Sequence, residues 1–166
     1  MRNCTAFLIG WWFGVGFFGG GLYWLTNAFL VHADKHGWLI PIAVPGLAAI
    51  MGLFIGVTSL LAHVMWRGKN DETKVLGRIL LFAVAWTVME WVRSWIFTGF
   101  PWNLISYTWS WSVESIQILS LIGTYALSLI SITFFCIPFL FFQNKIIKKN
   151  IIFAFIFLIV FFGNYL

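Results

Sequence analysis

Long apolar stretches separated by short polar segments constrain what this sequence of 166 residues can fold into. A helix needs about 20 apolar residues to cross the hydrocarbon core of a bilayer, which is about 30 Å thick. Lipid offers the backbone no hydrogen-bond partner, so such stretches are expected to be helical. Four stretches reach this length and a fifth is marginal: residues 5–31, 38–66, 75–97, 116–142 and 151–166. We predict an all-α polytopic bundle of about five transmembrane spans, forming one domain over residues 1–166 without a soluble catalytic domain.

The composition excludes several classes of protein. Only 9% of the residues are charged and 61% are hydrophobic, which is far from the make-up of a water-soluble domain. Nucleic-acid binding is not expected despite the net charge of +5, because the basic residues lie in short loops and form no continuous face. Cys4 and Cys136 lie in separate apolar stretches, and neither a disulfide framework nor a zinc site is indicated. We expect no metal and no cofactor.

The unequal distribution of Lys and Arg between the loops predicts the orientation of the spans. With the N-terminus in the cytoplasm, eight of the ten basic residues lie on the cytoplasmic side, which carries the excess of positive charge in membrane proteins. Lys35 is the one basic residue of the outer loops, and Arg93 lies within a span. This orientation places the aromatic segment 99–115 on the extracytoplasmic side.

Two opposite charges lie on one stripe of the third span. Trp86, Glu90, Arg93 and Phe97 are spaced i, i+4, i+7 and i+11, so a helix places them on one face. At 1.5 Å per residue, Glu90 lies about 22 Å from the start of this span, in the outer leaflet. Glu90 and Arg93 form either a structural ion pair that fixes helices or a polar floor for a lipid headgroup or a substrate amine.

The segment that follows the third span combines helix-breaking residues with aromatic ones. Gly99 permits a positive φ, and Pro101 moves Phe100 out of the helical region. From there to Ser115, aromatic residues alternate with Ser, Thr and Asn, which predicts an interfacial or re-entrant loop. The loop is either a plain aromatic belt or a substrate-contacting surface. The candidate lipid-binding or substrate-binding residues are Glu90, Arg93, Thr98, Phe100, Pro101, Trp102 and Tyr107.

Glycines of the first span form two patterns. Gly14, Gly16 and Gly19 spell G-x-G-x-x-G, but no strand precedes them, so dinucleotide binding is not indicated. Gly10/Gly14 and Gly16/Gly20 are G-x-x-x-G pairs, which favour close approach of a neighbouring helix.

Three segments together resemble the membrane region of the apolipoprotein N-acyltransferase family. They are Trp11 to Trp24 (WWFGVGFFGGGLYW), Glu90 to Trp102 (EWVRSWIFTGFPW) with Tyr107, and Ile122 to Leu129 (IGTYALSL). The E-W-x-R motif followed by T-G-F-P-W is the specific part, and in order and spacing the resemblance covers nearly the whole chain.

The resemblance implies a multi-pass protein of the bacterial inner membrane that acts in lipoprotein maturation. Such an enzyme transfers an acyl chain from a phospholipid donor to the N-terminal diacylglyceryl-cysteine of an apolipoprotein acceptor. Its Glu, Lys and Cys triad lies in a periplasmic nitrilase-like domain that this sequence lacks, and Cys136 is not expected to be the nucleophile. We therefore expect no catalytic residue here and a chain that is inactive alone.

The resemblance also leaves the status of the chain open. A fragment, a truncated reading frame and one piece of a split gene, with a separately encoded nitrilase-like domain, all agree with it. The alternative functions are a small polytopic transporter or channel subunit, and a degenerate remnant without function.

Overall fold

A computed structural model describes residues 2–67, 75–96, 99–111 and 113–141, and these ranges are almost entirely helical and contain no strand. The predicted all-α class is confirmed. Four helical segments of the described ranges are long and apolar enough to cross a membrane: Asn3–Gly21, Ala33–Trp66, Val75–Arg93 and Leu119–Phe139. The predicted fifth span, residues 151–166, lies outside the described residues.

The described part of the chain contains four long helices and several short ones. The α-helices are α1 Asn3–Gly21, α2 Thr26–Leu30, α3 Ala33–His36, α4 Ile40–Trp66, α5 Val75–Arg93, α6 Val113–Gln117 and α7 Leu119–Phe141. Segments of 3₁₀-helix occupy Tyr23–Leu25, Gly37–Leu39 and Ile105–Trp109. The long helices pack in chain order, α1 against α4, α4 against α5, and α5 against α7.

Three of the long helices differ from the predicted spans, and α5 ends at Arg93, four residues before the predicted end at residue 97. The first span was predicted to continue to residue 31, whereas α1 ends at Gly21. The last three residues of α1 are glycines, which weaken a helix, and Leu22 leaves the helical conformation at φ −107°. In α7 the backbone at Gly123 is non-helical, with φ 75°, so a break follows the first turn of this helix. Hydropathy alone gives no signal for either break.

Glycines bring α1 and α4 into close contact. A Cβ atom on Gly14 would lie 2.7 Å from the Cα atom of Gly52, so only glycine fits between the two backbones. A Cβ atom on Gly10 would lie 2.7 Å from the carbonyl oxygen of Ile55. The prediction of helix packing by the Gly10/Gly14 pair is therefore confirmed, whereas Gly16 and Gly20 face open space.

Hydrogen bonds between side chain and backbone reinforce this contact. The indole nitrogen of Trp11 donates to the carbonyl oxygen of Ala49 at 2.9 Å, and the hydroxyl of Ser59 donates to that of Ala6 at 2.8 Å. The pairs run in opposite directions along the two helices, so α1 and α4 are antiparallel. In lipid, where hydrophobic burial does not drive association, close packing and such bonds hold helices together.

The end of α1 also receives the segment that follows α5. A Cβ atom on Gly21 would overlap the Nδ2 atom of Asn103, whose own φ of 53° lies in the left-handed region. Nearby, the rings of Trp24 and Trp102 stack with centroids 4.9 Å apart. We call residues 99–111 the aromatic loop. It contacts the end of α1 through Gly21 and the following 3₁₀-segment through Trp24.

Gly14→Ala is expected to destabilise the chain, because the new methyl group meets the backbone of α4 and the helices must separate. Gly16→Ala is the matched control, since a Cβ atom there meets nothing within 4 Å. Both changes give the same intrinsic gain of about 0.5–1 kcal/mol in helix propensity, so their difference measures the clash. The measurement is the melting temperature of each variant in detergent. An equal melting temperature for the two would contradict this packing.

Gly21→Ala is expected to loosen the aromatic loop, because the methyl group displaces the side chain of Asn103. Gly20→Ala is the control, since that position is open. Hydrogen exchange followed by mass spectrometry should show several-fold faster exchange of peptides from residues 99–111 in Gly21→Ala only. Equal exchange rates of these peptides in the two variants would contradict the contact between the loop and α1.

Candidate functional site

The aromatic loop begins with the predicted helix break. Gly99 has φ 89°, and a Cβ atom there would lie 2.7 Å from the carbonyl oxygen of Ser94, so this position requires glycine. The N–H of Phe100 then donates to the carbonyl oxygen of Arg93 at 3.1 Å, which turns the chain back against α5. The expectation of a positive φ at Gly99 is confirmed, but α5 ends at Arg93, before the residues that were expected to break it. Thr98, another candidate, lies outside the described residues.

Arg93 binds the backbone of this loop. Its side chain is 2% exposed, and Nη1 donates to the carbonyl oxygens of Phe100 at 2.8 Å and Trp102 at 2.6 Å. The guanidinium carbon lies 5.0 Å from the centroid of the Phe18 ring, within cation–π distance. Arg93 therefore joins the end of α1 to the first residues of the aromatic loop.

Glu90 binds the same loop further along. Its side chain is 5% exposed, and Oε1 accepts hydrogen bonds from the N–H of Ile105 at 2.8 Å and from the indole of Trp86 at 3.1 Å. Because Trp86 lies one turn before Glu90 on α5, its indole holds the Glu90 carboxylate against α5.

The two charges thus do not form the direct ion pair that was one interpretation of their spacing. Within the described residues, the short polar contacts of each side chain run to groups other than the opposite charge. Their charges still attract across one helical turn. Hydrogen bonds to a charged group contribute about 1.5–3 kcal/mol each, which offsets part of the cost of burying the charge. We call Glu90 and Arg93 the backbone clamp.

Glu90 also lines a cavity, and one of its carboxylate oxygens has no partner within the described part of the chain. Oε2 is buried and has no hydrogen-bond partner among the described residues. The cavity is small and lies where α1, α4 and α5 meet the aromatic loop. It is lined by Phe17, Phe18, Phe54, Ile55, Thr58, Trp86, Met89, Glu90, Arg93 and Asn103.

The remaining candidates form the surface above the clamp. Trp102 is 43% exposed, Pro101 and Tyr107 are exposed, and Phe100 is half-buried. The Tyr107 hydroxyl donates to the carbonyl oxygen of Pro101 at 3.1 Å, and the Phe100 and Trp102 rings lie 5.5 Å apart. The structure therefore brings the described candidates together, with two buried charges below and an aromatic surface above.

Sequence reasoning missed Asn103 as part of the site and did not anticipate how deeply Trp109 is buried. Asn103 follows Trp102 and lines the cavity, and its signal is that Asn is among the few residues that tolerate a positive φ. Trp109 was grouped with the interfacial aromatics, yet it is buried and donates its indole N–H to Ser131 at 2.7 Å. Ser131 lies about 12 Å along α7 from Gly123, so this end of the loop packs beside the middle of α7.

The comparisons with known proteins agree with this architecture. The family model described as apolipoprotein N-acyltransferase N-terminal domain matches residues 2–137. A protein named apolipoprotein N-acyltransferase from Brucella melitensis biotype 1 is 41% identical over 137 residues, which are 82% of this chain and 25% of that protein. The protein of that name from Rhodopseudomonas palustris is 41% identical over 134 residues, 81% of this chain and 24% of the relative. The one from Sinorhizobium fredii is 42% identical, over 82% of this chain and 25% of the relative.

The chain spans about a quarter of the length of the curated relatives that it matches. The matched region contains α1 to α5, the aromatic loop and all but the last residues of α7. Together with four helices that can cross a bilayer, this identifies a membrane protein. Since the family model covers well over half of its residues, the chain belongs to the apolipoprotein N-acyltransferase family.

Proposed function

We propose that this chain provides the membrane-embedded part of an acyltransferase of lipoprotein maturation. In this proposal an acyl chain passes from a phospholipid to the N-terminal diacylglyceryl-cysteine of an apolipoprotein. The role of the chain is to bind lipid substrates at the outer leaflet, through Phe100, Pro101, Trp102 and Tyr107 held by the backbone clamp. Thr98, next to Gly99 in sequence, belongs to the same proposed entrance. Family membership disfavours the alternative of a transporter or channel subunit.

The backbone clamp is the observation that supports a substrate entrance over a plain aromatic belt. A belt needs only aromatic side chains at the level of the headgroups, and their exact arrangement is unimportant. Here two charged residues are buried in the bundle, at a cost, to fix the backbone of residues 100–105. Fixed geometry is useful when a surface must recognise a ligand.

Catalysis is assigned to a nitrilase-like domain with a Glu, Lys and Cys triad, within the same polypeptide or separately encoded. Cys136 does not suit the role of nucleophile. It is half-buried on α7 and packs against the apolar Val75 and Ile79. A reactive thiolate needs a partly exposed, electropositive setting.

The proposed site of action is the bacterial inner membrane, with the N-terminus in the cytoplasm and the aromatic loop outside. The eight-to-one distribution of basic residues between the two sides supports this orientation. In the structure, α1 and α4 are antiparallel, so Arg67 lies at the same end of the bundle as Arg2, opposite the aromatic loop. The side chains of Arg67 and Asn3 approach to 3.5 Å at that end.

Topology can be checked with single cysteines at position 35, 67 or 111, in a background of Cys4→Ser and Cys136→Ser. These three positions are exposed. An impermeant maleimide added to intact spheroplasts should label positions 35 and 111, while position 67 should react only after the membrane is broken. Labelling of position 67 but not of 111 in intact spheroplasts would reverse the orientation.

The substrate entrance can be tested in a hybrid that carries residues 2–137 of this chain within the full-length Brucella melitensis relative. Trp102→Ala should lower acyl transfer per folded molecule about tenfold, which corresponds to the loss of about 1.4 kcal/mol of contact with substrate. Trp12→Ala is the matched control, because Trp12 is exposed on α1 and distant in sequence from the loop. If both variants keep the activity of the parent hybrid, the aromatic loop is only a belt.

A further inference from the structure

We infer that Trp109 is a positioning residue, which sets the orientation of Tyr107 through its hydrogen bond to α7. The inference rests on the proposed function, since Tyr107 is one of the residues proposed to contact lipid substrates. It assigns a role to a buried tryptophan that the sequence grouped with the interfacial aromatic residues.

The 3₁₀-segment Ile105–Trp109 has one buried side and one exposed side. A 3₁₀-helix has three residues per turn, so Ser106 and Trp109 lie on the same side. Both side chains are buried, at 1% and 8% exposure, whereas Tyr107 and Thr108 between them are exposed. Trp109 therefore faces away from the surface to which Tyr107 belongs, and it can influence a substrate there only through a neighbouring residue.

The side chain of Trp109 is attached to α7 in two ways. Its indole N–H donates to Oγ of Ser131 at 2.7 Å, and the Ser131 hydroxyl donates in turn to the carbonyl oxygen of Leu127 at 2.7 Å. Hydrogen bonds in such a buried chain polarise and strengthen one another. The indole ring also lies parallel to the ring of Phe135, with an interplanar angle of 2° and centroids 6.3 Å apart. The helix α7 thus fixes both the position and the tilt of the indole.

The start of the same 3₁₀-segment is attached to a different helix. The N–H of Ile105 donates to Oε1 of Glu90, on α5, at 2.8 Å. A single attachment would leave a short segment free to rotate about that point, whereas attachments at both ends fix its orientation. Tyr107 lies midway between Ile105 and Trp109, so α5 and α7 together determine the direction of its side chain.

The orientation of Tyr107 matters because its hydroxyl closes the aromatic loop. This hydroxyl donates to the carbonyl oxygen of Pro101 at 3.1 Å and so joins the 3₁₀-segment to the first residues of the loop. Trp102 follows Pro101 directly in sequence. A rotation of the segment breaks the bond to Pro101 and moves the Tyr107 ring away from Trp102. Trp109 prevents this rotation without being exposed at the surface itself.

A packing role alone predicts a different outcome from a positioning role. If Trp109 only stabilises the bundle, its replacement lowers the folded fraction and leaves the properties of each folded molecule unchanged. If Trp109 positions Tyr107, the folded molecules themselves bind substrate less well. The test therefore separates KM from kcat and corrects both for the folded fraction.

The experiment uses the hybrid that carries residues 2–137 within the full-length Brucella melitensis relative, with short-chain phosphatidylethanolamine as donor and a diacylated lipopeptide as acceptor. Trp109→Phe keeps a ring beside Phe135 and removes the N–H donor. The KM for at least one of the two lipids should rise about fivefold, the scale of one lost hydrogen bond, while kcat stays unchanged. Trp111→Phe is the matched control, because Trp111 is exposed two residues further along, and it should keep the parent KM.

Two further variants test the route of the effect. In a Tyr107→Ala background, Trp109→Phe should not raise KM any further, because residues that act through one another are not additive. Ser131→Ala removes the acceptor from the α7 side and should raise KM as Trp109→Phe does, which keeps the test open if Trp109→Phe does not fold. Ser120→Ala is its control, since Ser120 is an exposed serine of the same helix.

Two results would overturn the inference. One is a parent KM in the folded molecules of both Trp109→Phe and Ser131→Ala. The other is additivity of the Trp109→Phe and Tyr107→Ala effects on KM, since Trp109 then acts by another route. If Trp102→Ala lowers acyl transfer while Trp109→Phe keeps the parent KM, the proposed function stands and only the positioning role fails. If Trp102→Ala has no effect while the KM changes at 107 and 109 are non-additive, the positioning role stands and Trp102 is not part of the entrance.

Discussion

The hydrogen bonds between the backbone of the aromatic loop and two buried charges hold this part of the molecule together. Residues 100–104 lie outside regular helix, and the carbonyl oxygens of Phe100 and Trp102 and the N–H of Ile105 are directed at the two charges and not at one another. Arg93 donates hydrogen bonds to two carbonyl oxygens, and Glu90 accepts one from an N–H. The irregular loop and the buried charges thus stabilise one another, since either alone would leave unsatisfied polar groups in a medium of low dielectric constant.

The glycines of α1 make this arrangement possible in space. Gly10 and Gly14 allow α4 to approach α1 closely, and Gly21 leaves room for Asn103 at the end of the same helix. Phe18, one turn before Gly21, lies under the guanidinium of Arg93. The helix α1 therefore packs against α4 along one side and contacts the aromatic loop at its end.

Hydropathy, charge and helix-breaking residues predicted the frame of the fold. The four described spans, the positive φ of Gly99 and the shared face of Glu90 and Arg93 follow from local rules, because they depend on residues close in sequence. The hydrogen-bond partners of the two charges do not follow from local rules. A spacing of i, i+3 states that two side chains share a face, and the loop that binds them returns from residues 100–105 through the φ values of Gly99 and Asn103. The burial of Trp109 depends in the same way on a contact between distant residues, its hydrogen bond to Ser131.

A clamp on the backbone differs from an ion pair in its symmetry. Two side chains that bind only each other can exchange their charges and keep their attraction. Here each charge matches a fixed backbone group, since carbonyl oxygens require a donor at position 93 and the N–H of Ile105 requires an acceptor at position 90. The order of acid and base along α5 is therefore dictated by the backbone groups that they bind. With the two residues exchanged, a carboxylate would face carbonyl oxygens at position 93 and a guanidinium would face an N–H at position 90.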